Sequence, residues 1–402
     1  MDRRGFGKAI IGSVAGAGLV AAGGVGRVEA QSGSPRPRDA DFRVMPDLPV
    51  KRNDGIRMGG DYHSVAGTTI TDSKSLAYFK RFNALHITPR APKALSKDEL
   101  KAFPQFGEWL NAEGPWDGDA LKLMQDDCQK NGMILEGVRM DSAYIIMKPG
   151  PERDRYLDII RENIQKASAA GISQVSYHWT MIPIRRNANV PGRGGSTYEA
   201  FKLEPNYSDL PPTAAAGRVS LEDYWSRIAY FLNGLVPVAR EMKVKLACHP
   251  YDPGGLPLGY QGVDNWDAVD YVAALKKYEM LYDDVYNSFT YDTGVAGESL
   301  DDPNSQLGIL RYLSERGKIA QVHFRSPKGH RNDFVEGYHD EGDVNLLDCL
   351  RVLRDTGWTG TLLPDHAPVH PDDPKKLLGF AFAYGYIAGL LRAAKDEAMK
   401  AT

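Results

Sequence analysis

One stretch shows the pattern that decides the fold: residues 285–325 read VYNSFTYDTGVAGESLDDPNSQLGILRYLSERGKIAQVHFR. A β-type run opens it at 285–292 and a second closes it at 319–325, with a longer connecting stretch between them. Short β-type runs that alternate with longer amphipathic stretches indicate βα units on a parallel sheet. The fold then depends on how many such units the chain contains.

Working outward from this stretch, we find eight β-type runs from residue 55 onward. They are 56–60, 84–88, 133–138, 174–178, 244–249, 285–292, 319–325 and 360–364. The stretches between them include two amphipathic segments, 151–170 and 221–242, that are typical of helices. Eight βα units predict a (β/α)8 TIM barrel, which we expect to form a single domain over residues 51–402. A doubly wound open sheet is the alternative, and it is less favoured because no Gly-rich nucleotide-binding loop follows the first run.

The longest connection, 181–219, follows the fourth strand and contains Pro-Gly-Arg-Gly-Gly at 191–195. A connection of that length without structure of its own is uncommon inside a compact domain. We therefore expect a long loop after strand four that acts as a lid or a binding loop.

The composition is that of a globular protein, with 402 residues of which 42% are hydrophobic and 25% charged. The formal net charge of -3 offers no broad basic field for a phosphate backbone, so we expect no nucleic-acid partner. The three cysteines, Cys128, Cys248 and Cys349, are too few and too scattered for a disulfide framework or a Cys-rich zinc module. Cys248 and Cys349 lie in apolar runs, which predicts small buried hydrophobic residues.

The N-terminal residues have the pattern of a targeting segment, and we expect them to lie outside the folded domain. Paired arginines, Arg3 and Arg4, precede an Ala/Gly/Val-rich stretch at 9–26, and Val-Glu-Ala at 28–30 suits cleavage before Gln31. This pattern indicates a twin-arginine signal peptide over residues 1–30, followed by a flexible leader at 31–50. We expect export to the periplasm and no stable membrane anchor after cleavage. A spanning anchor is the alternative, but the stretch is only mildly apolar.

Candidate metal ligands follow four successive strands, the fifth to the eighth. In a (β/α)8 barrel the carboxyl ends of the strands form the catalytic face, so side chains there can converge. Two imidazoles and two carboxylates suit Mn, Zn, Fe or Co better than Ca. Singly, each has a plainer alternative: a histidine bonded to its neighbours, a carboxylate that caps a helix, or one that opens the turn ending at Gly294. The four candidates are His249, Asp292, His323 and Asp365.

Five segments of the chain resemble mannonate dehydratase, and they keep their order along most of residues 55–395. They are 151–156 leading into 169–172, then 289–294, 322–325, 333–339 with 342–344, and 364–366. The resemblance implies a metal-dependent (β/α)8 lyase that removes water from a sugar acid such as D-mannonate to give a 2-keto-3-deoxy acid. It also implies a metal held by His249, by the residue at 292, by His323 and by Asp365.

The same resemblance implies four substrate-side residues. His366 and Arg325 would face the substrate, and Glu336 and His339 would belong to a neighbouring substrate loop. Removal of a proton next to a carboxylate leaves negative charge that a cation can stabilise, and it requires a base and an acid of near-neutral pKa. His366 is the first candidate for this proton transfer and His339 the second. Arg325 would pair with the substrate carboxylate; for Arg325 and Glu336 the alternative is a structural ion pair at the barrel rim.

The chain departs from the family pattern at three places. It has Asp292 where the family has a cysteine ligand, Phe-Val-Glu at 334–336 for Phe-His-Glu, and Pro-Lys-Lys at 374–376 for Pro-Gly-Tyr. A carboxylate in place of a thiolate makes a harder site, so we expect Mn²⁺, with Zn²⁺, Fe²⁺, Co²⁺ and Mg²⁺ as alternatives.

Two other functions stay open on the sequence. Asp-Thr-Gly at 292–294 also resembles the sugar isomerases and epimerases of the xylose isomerase-like superfamily, in which Glu136 at the end of strand three could serve as an acid/base or could position a neighbour. A non-catalytic exported sugar-binding barrel is the third hypothesis. In every case we expect a small sugar acid or sugar as the ligand, and a homo-oligomer is compatible with the sequence.

Overall fold

The computed structural model describes residues 55–64, 71–92, 114–140, 143–182, 186–213 and 216–401. The signal peptide predicted at 1–30 and the leader predicted at 31–50 lie outside the described residues. Within the described part, thirteen strands and nine helices are labelled here in chain order. The strands are β1 Arg57–Asp61, β2 His86–Thr88, β3 Ile134–Leu135, β4 Gly137–Arg139, β5 Gln174–His178, β6 Ala188–Pro191, β7 Thr197–Lys202, β8 Lys245–His249, β9 Asn287–Asp292, β10 Ile319–His323, β11 Lys328–His330, β12 Asp333–Val335 and β13 Thr361–Leu363.

The helices alternate with the strands of the main sheet and cover its outer face. They are α1 Ser73–Lys80, α2 Gly118–Lys130, α3 Pro151–Ala169, α4 Leu221–Met242, α5 Tyr271–Leu281, α6 Thr293–Glu298, α7 Leu307–Glu315, α8 Leu346–Asp355 and α9 Leu377–Ala401. The prediction for α4 holds at both ends: the Ser220 side chain accepts a hydrogen bond from the backbone N–H of Asp223 at 3.2 Å, and Lys243 stops the helix at a left-handed φ of 57°.

The main sheet is a nearly closed parallel barrel. Its nine strands follow the order β3-β2-β1-β13-β10-β9-β8-β5-β4, and β3 and β4 at the two ends of that order are separated along the chain by Glu136 alone. All eight predicted strands are present, the third of them divided into β3 and β4. The TIM-barrel prediction is therefore confirmed.

The barrel interior carries a polar layer directly beneath its catalytic mouth. Gln174 Nε2 donates to Gln321 Oε1 at 2.7 Å, and Gln321 Nε2 donates to the Thr290 hydroxyl at 3.1 Å. Thr290 and Gln321 stand two residues before Asp292 and His323, so their side chains share the inward face with those candidate ligands. The buried hydrogen bonds fix the strands that carry the site.

The prediction that the connection at 181–219, after the fourth predicted strand, is a loop without secondary structure is wrong in part. The connection contains β6 and β7, which pair as an antiparallel hairpin, and β7 in turn pairs with β12 from the loop after β10. Together β11, β12, β7 and β6 form a four-stranded rim sheet beside the barrel. Because β12 lies more than a hundred residues further along the chain, local sequence pattern does not reveal this pairing.

The last helix, α9, is long and apolar enough to span a membrane by length and composition alone. Its buried face nevertheless packs on the barrel. Phe380 and Ile387 are buried, Tyr384 stacks on Phe82, and the Tyr384 hydroxyl donates to Ser64 Oγ at 3.1 Å. The three cysteines are free and buried, as the sequence predicted for two of them.

Candidate metal centre and active site

The four side chains predicted as metal ligands meet at one point of the barrel mouth. Each is buried and offers one ligand atom, and these atoms all lie within 4.8 Å of one another. They come from the carboxyl ends of β8, β9 and β10 and from the residue two positions after β13, which are neighbouring strands in the sheet. Their parallel alignment brings the ligands together, as the sequence analysis expected. The four are His249, Asp292, His323 and Asp365.

The donor atoms fit a divalent cation. His249 Nδ1 lies 2.6 Å from the Pro250 carbonyl, so it carries the proton and leaves Nε2 as an electron-pair donor. That Nε2 faces Asp292 Oδ2 and His323 Nδ1, each at 3.2 Å. Acceptor atoms held this close together in a buried place are stabilised by a positive charge between them, supplied by a proton or by a metal cation. Two imidazole nitrogens and two carboxylates form a donor set for a transition metal.

Asp292 divides its two oxygens between the fold and the site. Oδ1 accepts hydrogen bonds from the backbone N–H groups of Gly294 at 2.7 Å and Val295 at 2.9 Å, which caps α6. Oδ2 lies in the ligand cluster. The two alternatives left open for Asp292 are therefore compatible: Oδ1 serves the turn and the cap, and Oδ2 stays available as a ligand atom.

His323 stands among carboxylates. Its Nδ1 lies 3.3 Å from Asp365 Oδ1, and its Nε2 lies 3.7 Å from Asp61 Oδ2. Although burial lowers the pKa of His323, the charges of Asp365, Asp292 and Asp61 outweigh it and raise the pKa to about 10. The position strongly favours positive charge.

Arg325 is held by the protein's own carboxylates. It is 1% exposed, and its Nε lies 3.2 Å from Asp292 Oδ2 and 3.1 Å from Asp365 Oδ2. Its terminal nitrogens reach Glu336 at 2.8 Å and Asp252 at 3.1 Å. This arrangement favours the alternative stated for Arg325 and Glu336, a structural ion pair at the rim, over a guanidinium open to substrate.

A second arginine, Arg186, completes this ion-pair network from just before β6. Its guanidinium lies 2.7 Å from Asp252 Oδ1, contacts Glu336, and covers the ring of Phe334 at 4.9 Å. Phe334 belongs to β12 and is buried. The rim sheet thus positions both Arg186 and Glu336 at the mouth.

His366, the first candidate for proton transfer, lies beside both the four candidate ligands and the ion-pair network. Its Nε2 lies 3.2 Å from Asp365 Oδ2, and its Nδ1 lies 3.8 Å from Glu336 Oε1. Burial lowers its pKa, but Glu336 and Asp365 outweigh that effect, so the pKa of His366 is raised. Its side chain keeps 22% exposure, more than any of the four candidate ligands, so a small molecule in the mouth can reach it.

His339, the second candidate, is placed differently. It is 4% exposed, its Nε2 has no hydrogen-bond partner among the described residues, and burial lowers the pKa of His339 to about 4. Its ring lies 6.4 Å from that of Tyr386 on α9. His339 is thus neutral over the physiological pH range and is covered on the α9 side.

The sequence analysis missed a histidine and carboxylate pair after β1. His63 Nδ1 lies 2.8 Å from Asp61 Oδ2 and 3.1 Å from Asp365 Oδ1, and its ring is 6.4 Å from that of His366. Both residues closely follow the first predicted strand, the same position that the four candidate ligands have relative to their own strands. Arg186 and Asp252 lie in loops and carry no comparable signal.

Glu136 lies at the other end of the barrel. Its carboxylate bonds His86 Nδ1 and lies 3.9 Å from Arg57, and these are the first residues of β2 and β1. The acid/base role considered for Glu136 is therefore wrong: it stands inside the third strand, not at its carboxyl end, and it positions His86.

Comparison with known proteins connects the chain to the mannonate dehydratases. Residues 212–401 match the family model of D-mannonate dehydratase (UxuA). Mannonate dehydratase of Streptococcus equi subsp. zooepidemicus is 27% identical over 340 residues, which covers 74% of this chain and 91% of that protein. Mannonate dehydratase 2 of Halalkalibacterium halodurans is 26% identical over 288 residues, 63% of this chain and 79% of that protein.

Solved structures show the same fold. The mannonate dehydratase from Streptococcus suis serotype 2 superposes with a TM-score of 0.66 at 22% identity, covering 85% of this chain and 96% of that one. A xylose isomerase domain protein from Planctomyces limnophilus has a TM-score of 0.53 at 12% identity, covering 86% and 99%. Both likenesses show a shared barrel fold.

Proposed function

We propose that this relative of the mannonate dehydratases is a metal-dependent hydro-lyase that removes water from a sugar acid such as D-mannonate to give a 2-keto-3-deoxy acid. The observation that carries the proposal is the convergence of His249, Asp292, His323 and Asp365 at the mouth of a barrel whose sequence relatives are mannonate dehydratases. His366, on the exposed side of that cluster, supplies a proton-transfer group.

These four residues would hold the cation. Bound there, it supplies a Lewis acid that stabilises negative charge developing on the substrate. We propose Mn²⁺ because Asp292 replaces a softer thiolate. The remaining chemistry belongs to the chain.

Two proton movements are needed, one from the carbon next to the carboxylate and one to the departing hydroxyl. His366 is suited to the first proton movement because Glu336 and Asp365 raise its pKa. Its imidazole can therefore both take and return a proton. His339 stays the second candidate, and its burial means that the mouth must open toward α9 for it to act. Arg325 and Glu336 hold the neighbouring carboxylates in place through their ion pair.

A product assay tests the proposal. The purified protein is loaded with Mn²⁺ and incubated with a panel of aldonates and uronates, and each sample is assayed both for 2-keto-3-deoxy acid and for isomerised sugar. We expect the keto-deoxy acid from at least one aldonate, and its loss in His366→Gln. Isomerised sugar without dehydration would replace the proposal with an isomerase, and no turnover despite full metal occupancy would replace it with a sugar-binding barrel.

We also propose that the chain is exported by the twin-arginine route to the periplasm. Arg3, Arg4 and the mildly apolar stretch at 9–26 support this. Replacing both arginines with lysine should keep the precursor in the cytoplasm, which fractionation and immunoblotting would show. Normal export of the double variant would contradict a twin-arginine signal.

A further inference from the structure

Arg139 is a buried arginine whose side chain has no partner in the part of the chain that the structure describes. It ends β4 and is 5% exposed, and among the described residues no carboxylate, hydrogen-bond acceptor or aromatic ring contacts its guanidinium. Its backbone is ordinary, since its N–H donates to the Pro89 carbonyl at 2.7 Å and its carbonyl accepts from the Ala91 N–H at 3.1 Å. A buried charge normally has a counter-charge, so this side chain calls for an explanation.

Other buried arginines of the described chain do have partners. Arg325 lies among carboxylates, and Arg153 covers the ring of Tyr230 at 3.7 Å. Arg227 donates to the Ile145 carbonyl at 2.8 Å and to Asp223 at 2.7 Å. Burial alone therefore does not leave an arginine unpaired in this protein.

The Arg139 side chain points into the barrel. In the pairing of β4 with β5, Gly137 stands opposite Gln174 and Arg139 opposite Ser176. Partners in register share a face, and Gln174 reaches Gln321 across the interior. Arg139 is one layer further toward the carboxyl ends, so it rises from the polar layer toward the catalytic mouth.

At the barrel mouth, Arg139 lies near the candidate metal centre. His178 follows Ser176 by two residues on the same face and stands opposite His249 in the register of β5 with β8. Burial, and after it the charge of Arg139, hold the pKa of His178 well below its usual value, in keeping with two inward side chains near the carboxyl ends of adjacent strands. Arg139 thus lies on the β4 and β5 side of the mouth, and only β5 separates its strand from β8, which carries His249.

We infer that Arg139 binds the carboxylate of the sugar acid. An anionic ligand supplies the counter-charge that the described residues do not, and a guanidinium matches a carboxylate with two parallel hydrogen bonds. Arg325 cannot serve in the same way because its nitrogens already contact Asp292, Asp252 and Glu336. This inference rests on the proposed function for the identity of the ligand, and it assigns the residue that recognises the ligand's charge.

The test compares an anionic and a neutral ligand of the same length. Thermal unfolding of the Mn²⁺-loaded protein is followed at increasing concentrations of D-mannonate or D-mannitol. The 2-keto-3-deoxy product also keeps its carboxylate, so turnover does not remove the anionic group. We expect D-mannonate to stabilise the unmodified protein far more than D-mannitol does. In Arg139→Gln, apparent affinity for D-mannonate should fall about 10- to 100-fold, while that for D-mannitol stays unchanged.

The control is Arg227→Gln, which removes a buried arginine of α4 that has partners, the Ile145 carbonyl and Asp223. Without ligand, Arg227→Gln should unfold at a lower temperature, whereas Arg139→Gln should be as stable as the unmodified protein because it loses no contact. With ligand, Arg227→Gln should keep the preference for D-mannonate. If Arg139 had a purely structural role, Arg139→Gln would unfold at a lower temperature without ligand and would keep the preference for D-mannonate.

The outcomes separate this inference from the proposed function. If the unmodified protein dehydrates an aldonate and Arg139→Gln still prefers D-mannonate over D-mannitol to the same degree, the inference is overturned and the function stands. If no aldonate is dehydrated but the preference for D-mannonate is lost in Arg139→Gln, the inference stands and the function does not.

Discussion

Asp292 shows how one side chain can serve stability and chemistry together. Its Oδ1 caps α6 through Gly294 and Val295, while its Oδ2 lies among the ligands. An exchange of Asp292 therefore affects the helix cap as well as the ligand atom. A cysteine keeps a metal-binding atom and loses the cap, whereas an asparagine keeps the cap and loses the anionic ligand.

This division gives a pair of matched variants. In Asp292→Cys we expect the preferred metal to move from Mn²⁺ toward Zn²⁺, and loss of the cap to destabilise the metal-free protein by about 0.5–2 kcal/mol. In Asp292→Asn we expect the cap to remain and most of the bound metal to be lost. Metal content after exposure to equal amounts of Mn²⁺ and Zn²⁺, with thermal unfolding of the metal-free forms, checks both. Full occupancy and an unchanged preference in both variants would remove Asp292 from the ligand set.

Single residues differ in how far sequence can predict them. His249, Asp292, His323 and Asp365 could be found because each closely follows a recognisable strand, and parallel strands align their carboxyl ends. His63 obeys the same rule after β1. Arg186 and Asp252 could not be found, because their pairing depends on loops whose paths are set by tertiary contacts.

At the scale of elements, the rim sheet links two distant loops to the site. β12 pairs with β7, with Phe334 opposite Phe201, and Glu336 follows β12 directly. The backbone N–H of Glu336 donates to the Glu199 carbonyl at 2.8 Å, which extends the pairing by one residue. Glu336 is also the residue whose carboxylate contacts Arg325. The sequence indicated only a long loop here, because short strands paired across so many residues leave no local periodicity.

Gly329 is where this sheet is most sensitive to substitution. It has a φ of +111°, and a Cβ added there would lie 2.3 Å from the Asp333 carbonyl oxygen. Gly329→Ala should force β11 away from β12 and shift Glu336, lowering kcat/KM about tenfold or more while thermal stability changes little, since the rim sheet lies outside the barrel. Steady-state kinetics and thermal unfolding measure the two effects.

The matching control is Gly308→Ala on α7, where an added Cβ meets nothing within 4 Å. Alanine favours a helix over glycine, so this variant should keep its kinetics and be unchanged or slightly more stable. A Gly329→Ala enzyme as active as the Gly308→Ala control would show that the rim sheet does not position the site.

At the scale of the whole molecule, the barrel was predictable because its rule is repetitive. Eight apolar runs at βα spacing admit few topologies, and the sequence placed all eight strands to within a few residues. The one interruption is Glu136, which divides the third strand and pairs with His86 at the end opposite the metal centre. From sequence alone, a charged residue that interrupts the pairing of a strand cannot be distinguished from one that ends the strand.

A cation held by the four candidate ligands would stabilise the fold as a whole. These residues belong to neighbouring parts of one sheet, from β8 to the residue two positions after β13, so a bound cation would join the two ends of a segment of more than a hundred residues. Because only the folded chain assembles the site, binding stabilises the native state by about 4 kcal/mol when free metal is 1,000 times its Kd. A chelator should therefore lower the thermal midpoint by several degrees, and added Mn²⁺ should restore it. In His323→Ala and His249→Gln the midpoint should not respond to chelator or metal. An unmodified protein whose midpoint ignores the chelator, although metal analysis shows that its metal has been removed, would mean that the four side chains hold the barrel together without a cation.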